Sequence, residues 1–376
     1  MAKRAANNMG TVRQRSDGRW EGRYTASDGK QHSVYALTQP ACTAALRAAM
    51  NDVDNGIWQK PSIMTVSEWL EIWLKDYQGD NSELTVLKYR SITRNNFAPT
   101  IGDVKLTKLS PVHIRRFLTA MKAKDLSQVT ISNYLRILKT ALNAAVEAKL
   151  IKESPANGIS ISRGKVKSFH VVDKSMFQDF IKAANETKYG NELALMLYTG
   201  LRVGELRGLR WSDIDFAANT MSIRRQLHPK SQTTKRITAP KYDEERTVYL
   251  PQPAINVLKA QRVKQNEQRL AAGAEWVDNE VTHDLVFRME TGVEHGEKTI
   301  ADAVRNVGSA ISIPALHPHD LRHSYAVAAL RSGADVKSVQ HNLGHKTSSM
   351  TVDIYAAYSE DAGKESAQKL SDYFAK

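Results

Sequence analysis

Near residue 64 the period of the apolar residues changes from that of strands to that of helices, and that change limits the architecture more than any other feature. Up to about residue 36 the pattern is that of strands: TVRQR, RWEGRYT and QHSVYAL alternate or carry β-branched and aromatic residues. Asp17-Gly18 and Asp28-Gly29 separate these runs, and each pair favours a tight hairpin turn because such a turn needs positive φ at its centre. A short alanine-rich helix is expected over about residues 40–52, ended by Asn55-Gly56. From residue 64 the period becomes helical. Thr65-Val66-Ser67-Glu68 has the capping-box spacing, and Trp69, Trp73 and Tyr77 then recur every four residues, as a core stripe does. Ser110-Pro111 is a cap followed by proline at the first helical position. Ser127 opens a long amphipathic helix whose apolar face runs from Ile131 through Leu135, Leu138 and Leu142 to Leu150. The expectation is a three-stranded sheet with one helix over residues 1–58, then an all-helical domain over residues 64–158.

Residues 159–168 read as a basic linker. Within and beside them, Gly158 to Val166 mimics a phosphate-binding loop, but that loop needs four residues between its glycines and Ser or Thr after its lysine. Five residues intervene here and Val166 follows Lys165, so nucleotide binding is rejected. A third domain, residues 169–376, opens with helices that include the apolar run Leu193 to Tyr198. Residues 235–250 then read as a hairpin turning at Tyr242-Asp243-Glu244-Glu245, and helical patterns resume after Pro251. A multidomain, mainly α protein with a mixed α+β C-terminal domain follows, and 376 residues suffice for a core in each part.

Charge divides along the same lines. Of the formal net +13, +12 falls in the first 168 residues. A basic front half suits a polyanion such as DNA, whose phosphates give sequence-independent affinity through counterion release. Within it, Arg13, Arg15, Arg19, Arg23 and Trp20 stand on or beside the strands, and a ribbon of two or three strands fits the DNA major groove. No apolar run approaches the ~18 residues of a membrane span, and the first ten residues lack the apolar stretch of a secretory signal. Cys42, the single cysteine, excludes an internal disulfide and a cysteine-cluster metal site, and reads as a small buried apolar residue. A cytoplasmic, nucleoid-associated protein without membrane contact is expected.

Chemistry concentrates in the third domain. Thr199-Gly200-Leu201-Arg202-Val203-Gly204-Glu205-Leu206 resembles the first signature of the tyrosine recombinase, or phage integrase, family. His319-Asp320-Leu321-Arg322-His323 resembles the second, and Leu343-Gly344-His345 with Tyr355 ten residues on resembles the third. Between them Lys241 lies at the turn where the family keeps its catalytic lysine. The resemblance implies an arm-type DNA-binding domain, a helical core-binding (SAM-like) domain and a catalytic domain of the tyrosine recombinase type. It implies a site-specific recombinase that integrates or excises a mobile element, a prophage or a conjugative transposon. Its partners would be double-stranded DNA at core and arm-type attachment sites, three further copies in a homotetramer, and accessory DNA-bending or excision factors. No cofactor and no metal is implied.

The residue types suit that reaction. Breaking a phosphodiester without a metal requires the protein to supply the positive charge on the developing phosphorane oxygens. Arg202 and Arg322 each offer a planar fork that pairs two oxygens and stays charged. His319 and His345 would add hydrogen bonds, His319 lying three residues from Arg322 on one helical face. Lys241 would protonate the departing 5′ oxygen, since an ammonium gives up a proton more readily than a guanidinium. Tyr355 would be the nucleophile; its proton costs roughly 4 kcal/mol to remove at neutral pH, which a cation pocket can offset. Glu205 would orient Arg202 through an ion pair. Tyr358 and His323 read as packing residues, and His317 with His319 lacks the further ligands of a metal site. The last amphipathic segment, residues 362–374, would dock on a neighbouring copy or fold back on its own domain. A type IB topoisomerase shares the nucleophile but relaxes DNA alone, and a non-catalytic DNA-binding protein would have no use for this set of residues.

Overall fold

A computed structural model describes residues 10–55, 63–79, 81–162, 169–229, 236–240, 245–345, 347, 371 and 374. The chain divides into two compact units, residues 1–166 and 167–376.

In the first unit, β1 (Thr11–Gln14), β2 (Trp20–Thr25) and β3 (Gln31–Ala36) form an antiparallel sheet in sequence order. Both Asp-Gly turns are present, with Gly18 and Gly29 at positive φ as their lack of Cβ allows. Helix α1 (Gln39–Asp54) covers one face, where Leu46 meets Tyr24 and Ala26, and Asn55 caps its C-terminus. Cys42 is fully buried in α1.

The helical part of the unit comprises α2 (Val66–Asp76), α3 (Glu83–Ile92), α4 (Ala98–Ile101), α5 (Pro111–Ala123) and α6 (Gln128–Glu147). The capping box at Thr65 and Glu68, the cap at Ser127 and proline at the start of α5 are all in place. Trp69 and Trp73 are buried, Trp69 donating its indole N–H to the Ala141 carbonyl at 2.8 Å. Tyr77 departs from the expected stripe and is 44% exposed. A spacing of four advances about 40° beyond a full turn each time, so by Tyr77 the stripe has rotated off the core, and this ring rests edge-on against Trp69. Ile159 is buried in the helical core and Ile161 packs on it, so the start of the stretch read as linker belongs to this packing.

The second unit begins with α7 (Phe177–Asn185), α8 (Gly190–Thr199) and the short α9 (Val203–Gly208). Five small strands follow: β4 (Ile214–Asp215), β5 (Thr220–Ile223), β6 (Gln226–Leu227), β7 (Ile237–Thr238) and β8 (Arg246–Tyr249). Among the described residues the two arms of the predicted 235–250 hairpin do not pair with each other: β7 pairs with β6, and β8 pairs with β5 at the edge of the sheet β4-β5-β8. Local alternation marks a strand but not its partner, and both partners lie upstream of the segment. Helices α10 (Gln252–Ala272), α11 (Glu297–Ala310), α12 (Pro318–Arg331) and α13 (Val336–Leu343) complete the unit. Between α10 and α11, after a single 3-10 turn at Gly273–Glu275, the chain leaves the helical pattern expected after Pro251. The apolar helix α8 is central, packing on α7, α10 and α12. It ends at Gly200, whose φ of +66° is left-handed and whose added Cβ would stand 2.7 Å from Leu343 and from the Tyr325 ring. Only glycine lets α12, α13 and the end of α8 approach this closely.

Candidate active site

The end of α8 is where distant segments of the second unit meet. Arg202 is the N-cap residue of α9, and its backbone N–H donates to Glu205 at 3.0 Å in a capping-box geometry. The same carboxylate takes the Arg202 guanidinium at 2.7 Å, so Glu205 orients Arg202 through both backbone and side chain. The other Arg202 nitrogen reaches the Gly344 carbonyl at 2.9 Å, just past α13. Arg322, on α12 and 1% exposed, donates to the Gly200 carbonyl at 2.8 Å and to the Leu343 carbonyl. Two arginines separated by 120 positions therefore rest on adjacent carbonyls of one turn. Gly344 supplies that turn with a left-handed φ of +60°.

His345 follows directly, 5% exposed, its backbone N–H donating to Gln340 and its carbonyl accepting from the Gln340 side chain. Burial, then the charges of Arg322 and Arg202, push its imidazole down to about 3, so at neutral pH it is an uncharged donor. His319 lines a cleft of about 360 Å³ together with Arg202 and Arg322, and with Gln226, His228 and Glu297. His323 packs between Phe169 and the His319 ring, as a packing residue should. Burial and its cationic neighbours hold it down at about 4. The four cationic or hydrogen-bonding residues Arg202, His319, Arg322 and His345 are thus brought together from three segments. Lys241, Tyr355 and Tyr358 lie outside the described residues, as does the last segment except Ser371 and Phe374.

The sequence did not single out Arg246. It is 6% exposed at an inward position of β8, and it grips Glu205 with two nitrogens at 3.0 and 2.8 Å. Glu205 is therefore shared by two guanidiniums, those of Arg202 and Arg246. Burial raises the Glu205 carboxyl, but Arg246 and Arg202 outweigh it and hold the group at about 2. Burial and the Arg202 charge both act against the charged form of Arg322, whose Nε–H has no partner among the described residues. Cations crowded this way, in a cleft and out of water, favour an anion that can accept several hydrogen bonds at once. A phosphodiester meets that description. Arg207, also buried, ties α9 to the Leu227 and His295 carbonyls and so fixes the cleft wall.

In the first unit, one sheet face is covered by α1 and the other carries charge. Arg13, Arg23, Ser33 and Tyr35 stand over Glu21 on that second face, following the register Arg13↔Glu21↔Tyr35. Glu21, 2% exposed, accepts from Arg13 at 2.7 Å and Ser33 at 3.0 Å and pairs with Arg23 at 3.3 Å. The Arg13 contact, followed by those of Arg23 and Ser33, outweighs burial and holds its carboxyl at about 2. Arg15 and Arg19 place their guanidiniums 5.6 and 5.8 Å from the Tyr35 ring centre. Trp20 pairs with Gln14 and Ala36, and so alternates onto the face of Gly22 and Tyr24 that α1 covers. It is set apart from the arginines with which the sequence groups it.

Residues 170–361 match the phage integrase family and residues 65–122 match the N-terminal SAM-like domain of phage integrases. A XerC-like tyrosine recombinase of Caldanaerobacter subterraneus is 26% identical over 358 residues, covering 90% of this chain and 91% of the relative. A putative prophage phiRv2 integrase of Mycobacterium tuberculosis is 25% identical, covering 92% and 90%. Among solved structures, the Tn1549 transposon integrase in complex with a circular intermediate DNA has a TM-score of 0.70 at 20% identity, over 82% of this chain and 99% of that one. A lambda integrase tetramer bound to a Holliday junction has a TM-score of 0.58 at 15% identity, over 94% and 96%. These two likenesses are of fold. The chain belongs to the phage integrase family of tyrosine recombinases, and so to the site-specific DNA recombinases. No described helix is long and apolar enough to cross a membrane.

Proposed function

We propose that this chain cleaves and rejoins double-stranded DNA at a defined crossover site, with Tyr355 as nucleophile and Arg202, Arg322, His319 and His345 as the phosphate clamp. The observation that carries the proposal is the convergence of those four clamp residues on one turn and one cleft. Arg202 and Arg322 stabilise the charge that develops on the phosphorane oxygens, and His319 and His345 donate to the same oxygens. The Tyr355 phenol gives up its proton to water, its oxygen bonds to phosphorus as the bond to the 5′ oxygen breaks, and Lys241 gives the departing 5′ oxygen a proton. A 3′-phosphotyrosine and a free 5′ hydroxyl remain. An ester replaces an ester, so the reverse attack by a 5′ hydroxyl rejoins DNA without ATP. Glu205 orients Arg202 and touches no substrate.

The wider assembly follows from the same reading. Four copies on two duplexes exchange strands, the charged face around Arg13, Arg15, Arg19 and Arg23 reads arm-type sites, and the helical domain with the catalytic domain grips core sites. Accessory DNA-bending or excision factors act at the nucleoid beside it.

The test uses a nicked duplex carrying the attachment site from the DNA beside the gene. The wild-type chain should leave a denaturant-stable protein–DNA adduct, and Tyr355→Phe should leave none. Joining of two separate duplexes separates recombination from simple relaxation. An adduct that persists in Tyr355→Phe would overturn the assignment of the nucleophile.

A further inference from the structure

Three consecutive backbone carbonyls at the end of α13 are each held by a different arginine. Asn342 accepts from Arg246 Nε at 2.8 Å, Leu343 from Arg322, and Gly344 from Arg202 at 2.9 Å. A helix C-terminus leaves its last carbonyls unpaired and carries partial negative charge, so it attracts cations. Here that general property is used to gather guanidiniums from α9, β8 and α12 at one point. Arg246 differs from the other two. Three of its five N–H donors are spent on Asn342 and on both oxygens of Glu205, and it does not line the cleft. An added Cβ on Gly344 would approach its Nη1 to 3.1 Å, so the turn lies directly on this guanidinium.

We infer that Arg246 is a positioning residue for strand cleavage, locking Glu205 and the Asn342-Leu343-Gly344 turn into one mount that sets Arg202, Arg322 and His345. Glu205 divides its oxygens between the two arginines: Oε1 takes Arg202 Nη1 and Arg246 Nη1, while Oε2 takes the Arg202 backbone and Arg246 Nη2. Without Arg246 the carboxylate keeps one cation and can turn, and Arg202 turns with it. The same loss frees Asn342 and with it the turn that leads into His345. A lysine cannot replace the fork, because a single ammonium cannot bridge two carboxylate oxygens and reach a third acceptor in one plane.

The inference rests on the proposed recombinase chemistry, and a double-mutant cycle on the full chain tests it. Arg246→Met, Arg246→Lys, Glu205→Gln and the pair Arg246→Met with Glu205→Gln are compared with wild type. Readouts are adduct formation under single-turnover conditions on the nicked duplex, duplex affinity, and amide exchange of residues 339–345 without DNA. Arg246→Met and Arg246→Lys should slow adduct formation about 10- to 100-fold, the scale of a misplacement of about 1 Å. Duplex affinity should stay within about threefold, and exchange at residues 339–345 should quicken. The double variant should be no slower than the slower single variant, because both changes remove one mount. Adduct formation in Arg246→Lys within twofold of wild type, or losses that multiply in the double variant, would overturn the inference. If Arg246→Met shows no cooperative melting, Arg246→Lys decides by the same criteria. Absence of adduct with the wild-type chain would instead overturn the recombinase reading, and this role with it.

Discussion

At the scale of single residues, the clamp arginines are the most exposed to test. Arg202→Ala and Arg322→Ala should each lower the adduct-forming rate by about 10²–10³, the loss typical of one preorganised donor in a charge-stabilising site. A rate within tenfold of wild type would remove either residue from the clamp. Protonation adds a second expectation. An unfolded histidine titrates near ~6.5, whereas His345 titrates near 3 and His323 near 4 in the fold. As pH falls below the first value, the unfolded chain binds protons that the folded chain refuses, so stability should fall across that window and be flat above it. Melting temperatures recorded between about pH 4 and 7 should show this slope, and His345→Gln should flatten it; an unchanged slope would place the titration elsewhere. The four residues proposed for the clamp stood out in the sequence because their neighbours form recognisable signatures. Arg246 was not. Its signal is a charge at an inward position of Arg246-Thr247-Val248-Tyr249, where burial alternates with exposure, and that can be read only once the strand register is known.

At the scale of elements, the caps were the legible part. Thr65, Ser110 and Ser127 start helices where their side chains predict, since capping is local chemistry. In the second unit, pairing between strands was not legible, because β7 and β8 take partners from segments whose own strands are two to four residues long. The left-handed junction at Gly200 is a feature of this scale, joining α8 to α12 and α13. Gly200→Ala should destabilise the second unit by at least about 1–2 kcal/mol, from a strained φ and from contact with Tyr325. Denaturant unfolding measures it, and a change below ~0.5 kcal/mol would mean that the junction relaxes freely.

At the scale of the whole molecule, charge was legible as a sum along the chain but not as an arrangement in space. The basic front half was visible in the counts, but not that Glu21 would gather Arg13, Arg15 and Arg23 on one sheet face while Trp20 turned to the other. Arg13→Ala with Arg23→Ala should weaken binding to arm-type DNA and reduce its salt slope by roughly two, since each phosphate contact contributes about one unit. Cleavage of a core-site duplex already bound should survive. An equal loss of core cleavage would show that these arginines serve the chemistry directly.

The guanidiniums of Arg202, Arg246 and Arg322, gathered at the end of α13, carry more positive charge than Glu205, the carboxylate that pairs two of them, can balance. A tetrahedral oxyanion in solution should consequently act as a folding ligand. At ten times its dissociation constant, sulfate would contribute about 1.4 kcal/mol to the empty protein, lifting its melting point beyond what chloride achieves at equal ionic strength, and Arg322→Ala should abolish that difference. Buffers rich in phosphate would then stabilise the enzyme on the bench while competing with the very substrate it awaits.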